Sequence, residues 1–293
     1  MLGKDMHKSG DVRVPEMGGI AIVVGFTGAA FLGIFLQLFF NLQFHLSYIL
    51  AALLTITIVA IIGIFDDLFD MSQHVKAFLP LAAAMPLVAI AVSRSVNTIF
   101  IPFIGVVDFG LLYPFLLVPV AVAVCSNLTN MMAGFNGLEA GMGLIIFSTL
   151  TLVALSHAQI EMAFISACMM GALTGFLLFN WYPAKVFIGD VGTLSIGAAL
   201  AAAVILSDYK AAGAILVIPY VVDFFIKLAN KFPKSFAEYK NGKLYTPRGQ
   251  VKGLNHLILN LFGGLSEKQL VYVFFGIELV FALAVLVLYT NIM

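Results

Sequence analysis

LSYILAALLTITIVAIIGIF, residues 46–65, runs without a charge and then meets DDLFDMSQHVK, residues 66–76. About twenty apolar residues are what a helix needs to cross the hydrocarbon core of a bilayer. The acids that follow, Asp66, Asp67 and Asp70, stand at a membrane boundary, where carboxylates are costly and rarely idle. On a helix Asp66 and Asp70 share a face at i and i+4, and Asp67 and Asp70 are i and i+3. Such a cluster repels itself. It calls for Lys76 folded back, or for a divalent cation; Mg2+ is held by one or two carboxylates plus substrate phosphates. The plain alternative is a solvated acidic helix end.

The apolar half of that pattern repeats along the chain. Of 293 residues, 62% are hydrophobic and 10% charged, and the mean hydropathy is +1.07. A soluble domain carries roughly a quarter charged residues, so a soluble enzyme, a disordered chain and a disulfide scaffold are all excluded. The expected fold is an all-α polytopic transmembrane bundle, residues 1–293 forming one domain. Its nine spans fall near 17–40, 46–65, 77–92, 111–126, 140–156, 161–179, 193–206, 211–229 and 269–289. Cys125 and Cys168 sit in or beside apolar runs, with a spacing that suits neither a metal site nor a redox pair.

Fifteen basic and fifteen acidic residues cancel, so no basic excess points to nucleic acid. Their placement is informative. The connecting segments alternate between two sides, and thirteen of the basic residues fall on one side, with Arg94 and Lys210 on the other. The positive-inside tendency puts the thirteen in the cytosol, together with the N-terminus. Ten acidic residues share that side. The opposite side has short loops and one apolar hairpin near Thr98–Gly110.

Three further segments fall on the charged side. PEMGG, Pro15–Gly19, permits close backbone approach. NLTNMMAGFNGLEAG, Asn127–Gly141, carries amides that both give and accept hydrogen bonds. NWYPAKVFIGDVGTLSIG, Asn180–Gly197, places Asp190 in a glycine turn at a helix start, where free N–H groups and the helix dipole suit phosphate. Each has a structural alternative: a proline turn, a self-satisfied loop, a capping turn. Together on one membrane face they read as equipment for metal-assisted phosphoryl chemistry.

In this order, PEMGG, DDLFD with its lysine, NLTNMMAGFNGLEAG and PAKVFIGDVGT closely resemble the polyprenyl-phosphate N-acetylhexosamine-1-phosphate transferases, from Gly3 to about Tyr289. AGFNGLEAG, KNGKL (Lys240–Leu244) and GKDMHK (Gly3–Lys8) are similar to the eukaryotic and archaeal UDP-GlcNAc:dolichyl-phosphate branch. With so short a chain, that points to an archaeal protein. The resemblance implies a multi-pass plasma-membrane phosphotransferase with a cytosolic active site. It would move GlcNAc-1-phosphate from a UDP-sugar to polyprenyl or dolichyl phosphate and release UMP, with Mg2+ (Mn2+ as a substitute) as cofactor. A homodimer is a further expectation, as is a role in the first membrane step of lipid-linked glycan synthesis.

Residue by residue, the resemblance implies that Asp190 and Asn130 bind the metal with the pyrophosphate. Lys76 would contact the phosphates, while Asp66 and Asp67 would activate the acceptor phosphate or otherwise serve catalysis. Phe187 would stack on uracil and Asn136 hydrogen-bond it, with Glu16 and the Asp5–Met6 backbone completing the nucleoside pocket. Lys185, Lys234 and Arg248 are further substrate-binding candidates. Two departures stand out. The family has ten spans, the first before the PEMGG-like motif, and this chain starts almost at that motif. The last cytosolic loop carries neither a histidine cluster nor the Arg-His-Arg of eukaryotic relatives; Phe232–Pro233 is followed by Lys234, Ser235 and Phe236, and His256 stands alone. Rival readings are a bacterial-type undecaprenyl-phosphate transferase, an inactive scaffold, or a transporter or flippase. The last draws on Asp223 and Glu278 inside spans, although Lys227 at i+4 offers Asp223 a partner.

Overall fold

A chain this apolar has to satisfy its backbone polar groups within each segment, and in lipid that means helices. The computed structural model, which describes residues 2–8, 10, 12–40, 43–101, 103–233 and 235–290, is accordingly a helical bundle. A small hairpin, β1 (Leu2–Lys4) with β2 (Arg13–Pro15), precedes α1 (Gly19–Phe40) and α2 (Leu46–Phe69). Next come α3 (Gln73–Ala83) and α4 (Met85–Ser93), which form one span broken at Ala84. The break is explained by Pro86, which lacks the N–H that the preceding turn would bond. The apolar hairpin follows as β3 (Thr98–Ile101) and β4 (Gly105–Asp108).

A π turn at Tyr113–Leu117 leads into α5 (Val118–Met131), then α6 (Leu138–Ser156), α7 (Ile160–Asn180) and α8 (Gly189–Ile205). Helices α9 (Lys210–Leu216) and α10 (Ile218–Ala229) meet at a 53° bend, just before Pro219, again a residue without an N–H. The last loop holds the hairpin β5 (Glu238–Lys240) and β6 (Lys243–Tyr245), and an amphipathic helix α11 (Leu254–Phe262) that the span pattern does not announce; α12 (Glu267–Thr290) closes the chain.

Among the described residues, seven helices are long and apolar enough to cross a membrane, and the bent α9–α10 pair makes an eighth. The ninth expected span, α8, has 17 residues. It is the centre of the bundle: every residue from Val191 to Ile205 is buried. Its small residues let neighbours come close. A Cβ on Gly19 of α1 would strike the Gly192 backbone, one on Gly63 of α2 would strike Val191, and one on Gly197 would strike the Cys125 carbonyl. Thus α1, α2 and α5 all converge on α8, and the glycines of PEMGG and GDVGT serve this convergence.

The two loop sets separate cleanly. At one end, Arg94 Nη1 donates to the Leu206 carbonyl at 3.1 Å, His45 Nδ1 pairs with Glu161 at 2.7 Å, and His157 Nε2 meets the Tyr289 carbonyl at 2.8 Å. At the other end lie the N-terminal hairpin, residues 66–76, 127–139 and 180–192, and the last loop, all cross-bonded as described next.

Candidate functional site at the loop-rich end

The PEMGG segment is strapped to the stretch before α8. Phe187 N–H donates to the Pro15 carbonyl at 2.8 Å, Gly18 N–H to the Phe187 carbonyl at 2.8 Å, and Gly19 N–H to the Ile188 carbonyl at 2.7 Å. These bonds set both the start of α1 and the backbone of Phe187. Glu16 lies exposed against Gly3, where any Cβ would collide with its carboxylate.

Behind the strap lies the charged cluster. The Lys76 ammonium is paired with Asp66 Oδ2 and with Asp190 Oδ2. Asn130 completes it: its neighbours select the amide orientation that turns the nitrogen to Asp190 Oδ1 at 3.1 Å, as donor, and the oxygen to Lys76 Nζ at 2.9 Å, as acceptor. Thr129, one residue earlier, donates to the Thr193 carbonyl at 2.8 Å, locking the end of α5 to the first turn of α8. Asp66 also accepts the Met71 N–H at 2.9 Å. Its side chain is 5% exposed, against 27% for Asp190, so Asp190 is the carboxylate open to an incoming ligand.

Two members of the acidic cluster take other roles. Helix α2 ends at Phe69, and Asp70 turns left-handed (φ 49°) with its N–H on the Asp66 carbonyl. Asp70 therefore leaves the helix face it was expected to share with Asp66, and it is exposed. Asp67 accepts the N–H groups of Asp190 at 2.8 Å and Val191 at 3.1 Å. The helix N-terminus expected to offer free N–H groups to phosphate is thus capped by a carboxylate from another helix, a favourable partner for the dipole. Gly189 (φ +69°) makes room for it; a Cβ there would lie 2.7 Å from Asp67 Oδ2.

Among the described residues no group of three or more His, Cys, Asp or Glu side chains forms a metal cage. The donor set is Asp190, Asp66 and the Asn130 amide, all oxygen. That suits a hard cation completed by substrate phosphates, and Lys76 holds the same carboxylates in its place.

The amide loop 132–137 is bound from several directions. Asn136 N–H donates to Glu267 Oε1 at 2.8 Å, Gly134 N–H to Glu139 Oε1 at 2.5 Å, and Gly137 N–H to Asn180 Oδ1 at 3.1 Å. Asn136 itself is 5% exposed and its Nδ2 donates to Asp5 Oδ2 at 3.3 Å. Met6, next to Asp5, is exposed. Glu267, Glu139 and Asn180 were not among the expected site residues. Glu267 opens an apolar span 131 positions from Asn136, a partnership that no local pattern announces.

Asp5 and His7 are tuned by this packing. Burial pushes the Asp5 carboxyl up, but Lys8 at 2.5 Å, the His7 N–H and the Asn136 amide together hold it below the usual range. The His7 ring stacks on Phe135 at 4.5 Å, and burial lowers its pKa to about 4. An unfolded chain protonates this ring near pH 6.5 while the folded protein does not, so the unfolded state binds the extra proton. Stability is full above pH 6.5 and falls as pH drops toward about 4. The shift corresponds to about 3 kcal/mol. His7→Phe, which keeps the stack, is expected to lessen the fall in melting temperature between pH 7 and pH 4.5; an unchanged fall refutes the assignment.

The remaining candidates stand apart. Lys185 is exposed, with its N–H on the Phe179 carbonyl, and Arg248 is exposed in a left-handed turn (φ 49°). Lys234 lies outside the described residues. His256 is structural: Nδ1 accepts the Lys252 N–H at 3.2 Å and Nε2 faces the Phe236 carbonyl at 3.1 Å. That pair of partners selects the neutral ring protonated on Nε2, and burial lowers its pKa. Asp223 pairs with Lys227 at 2.7 Å and accepts the Leu254 N–H at 2.7 Å, so it ties the last loop to α10. Glu278, midway along α12, is fully buried, and neither of its oxygens is bonded among the described residues.

The sequence profile of glycosyl transferase family 4 matches residues 49–208. A protein of Saccharolobus solfataricus, provisionally named UDP-N-acetylglucosamine--dolichyl-phosphate N-acetylglucosaminephosphotransferase, is 37% identical over 99% of this chain and 88% of its own length. Its namesake from Sulfolobus acidocaldarius, also provisional, is 34% identical over 98% and 88%. The Schizosaccharomyces pombe enzyme of that name is 29% identical over 69% of this chain and 47% of its own.

Proposed function

The chain belongs to glycosyl transferase family 4, and from that premise we propose that it transfers a sugar-1-phosphate from a UDP-sugar to a polyprenyl phosphate, releasing UMP. The sugar is N-acetylglucosamine and the lipid a dolichyl-type phosphate, as the names of its relatives state for those proteins. The observation that carries this reading is the Lys76–Asp66–Asp190–Asn130 cluster beside the strapped Phe187. In phosphoryl transfer the protein's work is chiefly positioning and charge neutralisation.

An oxygen of the lipid phosphate attacks the β-phosphorus of the donor. The bond between that phosphorus and the bridging oxygen breaks, and UMP leaves with the oxygen. Lys76 neutralises charge on the transferring group. Asp66 orients the acceptor phosphate or takes its proton. Asp67 holds the first turn of α8, so it acts by placing Asp190. Asp190 and Asn130 would hold Mg2+, whose charge offsets that of the pyrophosphate. Phe187 offers its ring to uracil, with Asn136, Met6 and Glu16 around the nucleoside. The exposed Lys185 and Arg248 supply positive charge at the rim, and Lys234 is a further substrate-binding candidate by its place in the sequence. A two-step route through a phosphorylated aspartate is the alternative. With thirteen of fifteen basic residues at this end, the site faces the cytosol across the plasma membrane.

The transporter reading loses one of its two intramembrane acids, because Asp223 is consumed by Lys227 and Leu254; Glu278 remains buried inside α12. A donor labelled with 32P in the β-phosphate and 14C in the sugar tests the reaction. Both labels are expected in the lipid extract in equal amounts. Carbon label alone would mean glycosyl transfer and sink the proposal.

A further inference from the structure

Loop 132–137 joins α5 to α6 without regular structure, and a buried loop must find partners for its N–H groups outside itself. Glu139 comes from the adjoining helix and Asn180 from the end of α7. Glu267 comes from the first turn of α12, is 5% exposed, and takes the N–H of Asn136, the residue proposed above to meet the nucleobase. Among the described residues its other oxygen, Oε2, has no partner, and Glu267 lines a cavity of about 220 Å3. Tyr182, Tyr239 and Lys268 line the same cavity, as does His7, whose Nε2 is likewise unpartnered. A carboxylate used merely to anchor α12 has no need to stand between a recognition loop and a polar cavity.

We propose that Glu267 is a positioning residue for nucleotide recognition, fixing loop 132–137 through the Asn136 N–H and so setting affinity for the sugar-nucleotide donor. The inference rests on the donor reading above. Oε1 is the working atom, because it makes the bond. Glutamine can keep that acceptor, alanine removes it, and aspartate withdraws it by one methylene.

The test is steady-state kinetics on purified full-length protein with UDP-GlcNAc and polyprenyl phosphate, together with UMP and AMP binding. Leaving a buried backbone N–H without its acceptor amounts to about a tenfold change. Glu267→Ala is expected to raise KM for UDP-GlcNAc and Kd for UMP by that factor. Its kcat and its KM for the lipid should stay within about twofold, and Glu267→Gln should restore both donor constants. Unchanged donor constants in Glu267→Ala, a loss confined to kcat, or an equal rise in both KM values would overturn the role. Should the alanine variant fail to fold, Glu267→Asp is expected to weaken UMP binding alone, and unaltered binding would overturn it. Wild-type protein that binds UMP no better than AMP overturns the donor reading itself. Uridine-selective wild type with an equally selective and tight Glu267→Ala overturns the positioning role alone.

Discussion

Asp190→Asn is expected to keep the fold and lose the reaction, with transfer of labelled GlcNAc-1-phosphate to lipid falling roughly a hundred- to a thousandfold. The fold should survive because Asp67 grips α8 through the backbone N–H groups of residues 190 and 191, not through the Asp190 side chain. Activity should fall because the substitution removes the more exposed carboxylate of the cluster, the one shared by Lys76 and Asn130. Asparagine keeps one oxygen at this position but removes the negative charge that would hold a dication beside a pyrophosphate. Melting temperature within a few degrees of wild type, alongside the loss of transfer, is the expected pair of results. Normal turnover would remove Asp190 from the site.

Lys76→Met should cost both activity and stability. Without the ammonium, Asp66 and Asp190 face each other in a largely buried setting. Removing one partner of a buried ion pair costs about 3–5 kcal/mol; the partial exposure of Asp190 argues for the lower end of that range. In EDTA the variant is expected to melt well below wild type, and Mg2+ should restore part of the difference by supplying the missing positive charge. Transfer is expected to fall roughly a hundredfold or more even in saturating Mg2+, since the phosphates lose their lysine. Equal melting temperatures in EDTA would show that Lys76 does not hold the two carboxylates apart.

The spans were legible because apolar runs of this length have few alternatives in a bilayer. The breaks at Ala84 and near Val217 have their cause in Pro86 and Pro219, although the span pattern reads straight through them over 77–92 and 211–229. The lysine's return to the acids was legible too, since three neighbouring carboxylates demand a counter-charge. What stayed hidden depends on contacts between distant segments. Asp67 reads locally as a twin of Asp66, yet its carboxylate caps a helix that starts 122 positions later. That cap removes the anion site the glycine turn seemed to offer. Asp70 looked helical until the chain turned left-handed. Asn136 reads locally as an amide for uracil, and nothing near it announces that Asp5 holds its Nδ2 and Glu267 its backbone N–H. In the last loop, α11 is too short to read as a span, and its anchor, Asp223, lies inside α10.

The most direct measurement of the central claim is the nucleotide released when purified protein meets UDP-GlcNAc, polyprenyl phosphate and Mg2+. Phosphosugar transfer at the Lys76–Asp190 cluster is expected to yield UMP in amounts equal to the lipid product, none after EDTA, and a roughly hundred- to thousandfold lower yield in Asp190→Asn. Release of UDP, or UMP formation that persists undiminished in Asp190→Asn, would contradict the account.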